Sequence, residues 1–219
     1  MASKPKNSEA EILELYRVAL QNAETQPEIA AAMTLVGYNS AKIAEGKTLW
    51  AQTRAAFDAN KTEDDETSEA YNNFTTLKTE LDATYGKHRK KAKVVFRNDS
   101  LNAEKLGITG EMPRAYVKSI EAAKKFYNEV SANESILTQL GRLAVTSTEI
   151  TAAIALIANV ENARANYLRE AGESQTATKA KDAAFAQMDE WMSDFYAVAR
   201  IALEDSPQLL EVLGKIVKG

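Results

Sequence analysis

The feature that most constrains this sequence is that it matches itself at a fixed spacing. Laying residue n over residue n+107, without a gap from Ile12 to Gly107, puts Ile29 on Ile136, Ser40 on Ser147 and Ile43 on Ile150. It also puts Leu49 on Leu156, Asp82 on Asp189, Ala92 on Ala199 and Leu106-Gly107 on Leu213-Gly214. Identity is low, roughly fifteen positions in about ninety-six. The breaks agree as well: Tyr38-Asn39 falls on Val145-Thr146, and Asn98-Asp99-Ser100 on Asp205-Ser206-Pro207. Agreement of breaks and apolar phase at one spacing is the signature of tandem duplication.

The repeated element is helical. Ser8-Glu-Ala-Glu11 has the capping-box pattern, in which the serine accepts from a first-turn amide and the glutamate reaches back. Ile12, Leu15, Tyr16, Ala19 and Leu20 then form an apolar stripe at helical spacing, to about Ala23. Pro27 opens a second helix and Gly37-Tyr38-Asn39 closes it, with Asn39 as a new N-cap. A third helix carries Ile43, Trp50 and Phe57. The acidic run Glu63-Asp-Asp-Glu66 predicts a turn or helix start, because carboxylates favour helix N-termini. A fourth helix runs to about Phe96. Thr146-Ser-Thr-Glu149 repeats the capping-box pattern in the second copy.

The predicted fold is therefore all-α: a tandem duplication of a roughly four-helix unit, packed as a pseudo-twofold helical bundle. The boundaries are a disordered tail over 1–7, repeat 1 over 8–107, a linker over 108–113 and repeat 2 over 114–219. The apolar run Ala152–Ala158 favours one shared core over two separate ones. Only 9 Gly and 4 Pro in 219 residues argue against a turn-rich β architecture.

Several chemistries are excluded by composition. With no cysteine there is no disulfide, thiolate nucleophile or zinc–cysteine site. A carboxylate-bridged metal pair needs two Glu-x-x-His motifs, and the single histidine, His88, follows Tyr85 at that spacing. Phosphate-binding glycine loops and the Gly-x-Ser-x-Gly elbow are missing from the sequence. A net charge of −4 disfavours a nucleic-acid partner. The N-terminus carries no signal-like apolar core, and no apolar run approaches the ~20 residues of a membrane span, so the expected location is cytoplasmic.

The remaining candidates are few. Lys87-His-Arg-Lys-Lys-Ala-Lys93 is a dense basic run, read as a solvated helix end. Its counterpart in the second copy is aromatic, Phe195-Tyr-Ala-Val-Ala-Arg200. Where copies diverge, their surroundings diverge. Trp191, Phe195, Tyr196 and Arg200 are accordingly the candidate partner or ligand surface. His88, the counterpart of Phe195, reads as a packing residue, and Asp82 and Asp189 as carboxylates held in local bonds.

The stretch from Trp191-Met-Ser-Asp-Phe-Tyr to Gly214, and Gly37-Tyr-Asn followed by Ala44-Glu-Gly46, resemble a family of uncharacterised bacterial all-helical proteins of about this length. The resemblance covers most of the chain and is most specific at its C-terminal segment. It implies an internally duplicated helical fold; the family has no assigned activity, so the resemblance carries over no catalytic residue. The basic run is more charged than the family pattern. The first functional expectation is a non-enzymatic helical interaction or scaffold protein, with a protein partner or a second copy of itself. The alternative is a small-molecule carrier with an apolar pocket near Trp191 and Tyr196. An enzyme ranks third.

Overall fold

The computed structural model describes residues 7–214. The expected loose segment, 1–7, lies outside the described residues except for Asn7. Among the described residues the chain forms eight helices and no strand. They are α1 (Glu9–Thr25), α2 (Pro27–Leu35), α3 (Ser40–Val95), α4 (Ser100–Lys105), α5 (Tyr116–Ala132), α6 (Glu134–Gly141), α7 (Ser147–Ala202) and α8 (Leu209–Val212).

The helix starts follow the sequence signals. At α1, the Glu11 amide donates to Ser8 Oγ (3.3 Å) and the Ser8 amide to Glu11 Oε2 (2.7 Å), completing the capping box. At α7, the Glu149 amide donates to Thr146 Oγ1 (3.2 Å) and the Thr146 amide to Glu149 Oε2 (2.8 Å). Asn39 Oδ1 accepts from the Lys42 amide (3.1 Å) at the start of α3. The stop after α2 is a Schellman turn: Tyr38 N–H donates to Met33 O, Gly37 N–H donates to Thr34 O, and Gly37 has φ +91°. After α6 the same left-handed position is held by Ala144, φ +53°.

One expected break is absent. Glu63–Glu66 lies inside α3, which runs through as 56 residues, as does α7. Neither glycine nor proline occurs from 47 to 85, so nothing in the backbone stops the helix there. The expected third and fourth helices are one.

The chain divides into two compact units. Unit 1 holds residues up to Asp64 together with those from Glu173 on; unit 2 is Asp65–Gly172. Each unit therefore draws on both long helices and on both halves of the sequence. In unit 1, Ala19, Leu20, Ile29, Met33 and Ile43 pack with Met188, Met192, Phe195, Tyr196, Ala199, Leu203 and Leu213. In unit 2, Leu81, Tyr85, Ala92, Phe96 and Leu106 pack with Ile120, Phe126, Tyr127, Val130, Ile136, Leu140 and Ile150. Polar bonds supplement the unit 1 core: Trp50 Nε1 donates to Leu13 O (2.8 Å), Asn22 Nδ2 to Val212 O (2.7 Å) and Lys181 Nζ to Glu9 Oε2 (2.9 Å). No helix of the described residues is long and apolar enough to cross a membrane.

Candidate functional site

The aromatic end of α7 is inside unit 1. Phe195 is fully buried and Tyr196 is 7% exposed. Tyr196 donates its hydroxyl to Leu213 O (3.2 Å), and burial pushes its pKa up to about 12. Trp191 is half-buried and stacks on Phe195, with 5.6 Å between ring centroids and 15° between planes. Tyr38 packs against both rings at a tilt. The indole presses on α3 at Gly46, where an added Cβ would stand 2.3 Å from the Trp191 ring. Of the four residues singled out from the sequence, three are thus packed together and only Arg200 is exposed.

Asp189 and Asp82 fall in different units, and each is engaged locally. Asp189 accepts from Tyr16 Oη (2.7 Å), and Asp82 pairs with Lys78 one turn earlier. Burial raises the Tyr16 pKa, and the Asp189 bond raises it further.

The basic run is less solvated than its composition predicts. Arg89 is only 5% exposed, and its Nη2 donates to the carbonyls of Thr109 (3.2 Å), Gly110 (3.2 Å) and Glu111 (3.4 Å). Lys93 Nζ donates to Gly110 O (2.8 Å), and Lys91 Nζ to Ala144 O (3.1 Å). The run pins down two non-helical segments of unit 2 by satisfying backbone carbonyls that α-helical bonds leave free.

His88, 5% exposed, sits between Lys87 and Arg89 in sequence. Its Nδ1 lies 3.0 Å from Tyr127 Oη, and the rings meet edge to face. Burial lowers its pKa, with Glu149 opposing and Lys91 and Lys87 adding to the effect. Burial raises the Tyr127 pKa, so the pair is a neutral imidazole against a phenol. His88 also lines a half-open cavity of about 180 Å³ with Glu80, Thr84, Glu149, Ala153 and Leu156. A wider cleft of about 490 Å³ lies in the same unit among Val94, Arg97, Asn98, Asp99, Arg142 and Leu143. Val94 is 60% exposed there, and neither arginine has an ion-pair partner among the described residues.

Sequence reasoning found the divergent stretch but not these two openings. Thr84, Ala153 and Leu143, which help to line them, carry no motif. No protein-family model matches the chain, no curated protein matches it, and no solved structure matches its fold.

Proposed function

We propose that this chain is a helical interaction protein that acts by self-association rather than by catalysis, and that its two associating surfaces are diverged copies of one surface. The reading rests on tandem duplication. Its support is that α1, α2 and α3 begin at residues 9, 27 and 40, while α5, α6 and α7 begin at 116, 134 and 147. The core positions correspond at the same spacing: Leu20 with Tyr127, Met33 with Leu140, Tyr85 with Met192 and Leu106 with Leu213 are all buried.

The carrying observation is a change of charge at corresponding positions: Arg97 stands against Glu204, and Arg142 against the neutral Leu35. In unit 2 the cleft joins exposed Val94 and Leu143 to Arg97 and Arg142. The unit 1 counterparts of Val94, Arg97, Arg142 and Leu143 are Ile201, Glu204, Leu35 and Val36. Leu35 is 87% exposed and Ile201 67%, and Glu204 and Asp205, which follow Ile201 in sequence, are exposed too. Arg200 corresponds to Lys93, which turns away to the Gly110 carbonyl. The unit 1 positions carry Glu204 and Asp205 against the single exposed Arg200, and the unit 2 cleft carries Arg97 and Arg142 against Asp99. Apolar area supplies affinity, and opposite charge selects the partner surface and suppresses pairing of like with like. The occupant of each is the other surface on a second copy of this chain, a heterologous contact.

The alternative, a carrier pocket beside Trp191 and Tyr196, has less support, because those rings fill their own surroundings. Sedimentation velocity on the full chain tests the proposal. The expected result is concentration-dependent association at low salt that weakens as salt screens the charges and is lost in Ile201→Asp. A protein that stays monomeric to about 1 mM, the affinity of a −4 kcal/mol contact, would sink it.

A further inference from the structure

Corresponding positions around His88 show a cavity that the other unit fills. Unit 1 places the Trp191 indole against Gly46 and stacks it on Phe195. The unit 2 counterparts of these three residues are Thr84, Ala153 and His88. All three line the cavity of about 180 Å³, and its floor includes Leu156, the counterpart of Leu49. For scale, an apolar cavity of roughly 150 Å³ holds a benzene ring. Where unit 1 has a ring of its own, unit 2 has a threonine and a space for one ring system.

The rim has changed charge as well. Glu80 and Glu149 line the opening, and their unit 1 counterparts are Gln187 and Lys42. Glu149 uses Oε2 to cap α7, which leaves its other oxygen for a donor, and that same capping bond lowers its pKa. Glu80 is exposed and has no ion-pair partner among the described residues. The two carboxylates accept only and suit a donor, and the nearby Lys91 spends a hydrogen bond on Ala144 O. Tyr127 occupies Nδ1 of His88, leaving Nε2 as that ring's other polar atom.

We infer that the cavity beside His88 binds a small arylalkylamine, its ring taking the place of the indole that unit 1 supplies from its own chain and its alkylammonium meeting Glu80 and Glu149. The inference uses the proposed duplication to choose the ligand class and does not depend on self-association.

His88 is the only histidine, so its imidazole NMR signals report this cavity alone. The probe is tryptamine, titrated into the full chain at neutral pH, with indole-3-acetate as the charge-reversed control. The expected result is a saturable shift of the His88 signals by tryptamine, with indole-3-acetate at least about tenfold weaker. Glu80→Gln weakens tryptamine by about tenfold. Thr84→Trp with Ala153→Gly fills the cavity as unit 1 does and abolishes the shift, with folding checked by circular dichroism. If that pair of substitutions unfolds the protein, the Glu80→Gln comparison still decides. No saturable shift up to about 10 mM tryptamine, equal affinity for indole-3-acetate, or unchanged binding in Glu80→Gln would overturn the inference. A chain that binds tryptamine while remaining monomeric would support this site and refute only the self-association reading.

Discussion

Gly46 offers a quantitative test of how unit 1 is packed. In the interior of a helix, glycine to alanine gains about 1 kcal/mol from propensity. At Gly46 that gain meets an obstacle, because the new Cβ would lie 2.3 Å from the tip of the Trp191 ring and within 2.7 Å of two more of its atoms. The indole is held from behind by Phe195 and Tyr38, so it has little room to retreat. Overpacking of this kind costs roughly 1–3 kcal/mol. The balance is a net loss of about 1 kcal/mol for Gly46→Ala. Gly172 lies inside α7 with nothing within 4 Å of an added Cβ, so Gly172→Ala keeps the full gain of about 1 kcal/mol. Trp191→Thr removes the obstacle and recreates the alanine–threonine pair that unit 2 uses at Ala153 and Thr84. In that background Gly46→Ala becomes stabilising, for a coupling of about 2 kcal/mol. Urea unfolding followed by far-UV circular dichroism measures all four corners of the cycle. If Gly46→Ala stabilises as much as Gly172→Ala, or has the same effect with and without Trp191, the close approach of α3 and α7 is wrong.

Three further outcomes follow from single sites. Ala144 takes φ +53° where its counterpart Gly37 takes +91°, so Ala144→Gly relieves a left-handed strain of about 1 kcal/mol, and an unchanged urea midpoint refutes that account. Arg89→Met removes three bonds to the 109–111 carbonyls, lowering stability by about 1–3 kcal/mol and speeding hydrogen exchange in that segment; protection that stays as before contradicts the tethering role. Burial holds the His88 pKa below its ordinary 6.5, so the folded state favours the neutral ring and its contribution is complete above pH 6.5. That contribution is lost as pH falls from 6.5 through the lowered value, and His88→Phe abolishes this loss while sparing the separate loss at lower pH from carboxylates such as Glu11 and Glu149. A pH profile that is the same for both proteins below 6.5 rules the burial argument out.

The legible and illegible parts of this sequence divide on physical lines. Ser8, Asn39, Thr146 and Gly37 announced helix ends because capping is local chemistry within four residues. Glu63–Glu66 misled because carboxylates favour helix starts without forbidding helix interiors, and no proline is there to force a stop. The apolar stripes showed that helices pack, but a stripe does not name its partner. The sharing of each compact unit between both halves of the sequence was accordingly unreadable. Arg89 was misread as solvated because a long cation can satisfy carbonyls some twenty positions ahead. The match at a spacing of 107 pointed to Phe195 and His88, yet Phe195 is core, and the opening lies beside His88, where Thr84 stands at the position matching Trp191.

On the proposed reading, two diverged copies of one surface pair across molecules by opposite charge. Sedimentation of charge-reversed variants measures it. Arg97→Glu with Arg142→Glu should be monomeric under conditions where the parent chain associates. Adding Glu204→Arg and Asp205→Arg to that variant should restore association by exchanging the two signs. Restored association in the four-residue variant is the predicted result. Association that survives the first pair of substitutions, or that the second pair fails to restore in a folded protein, would contradict it.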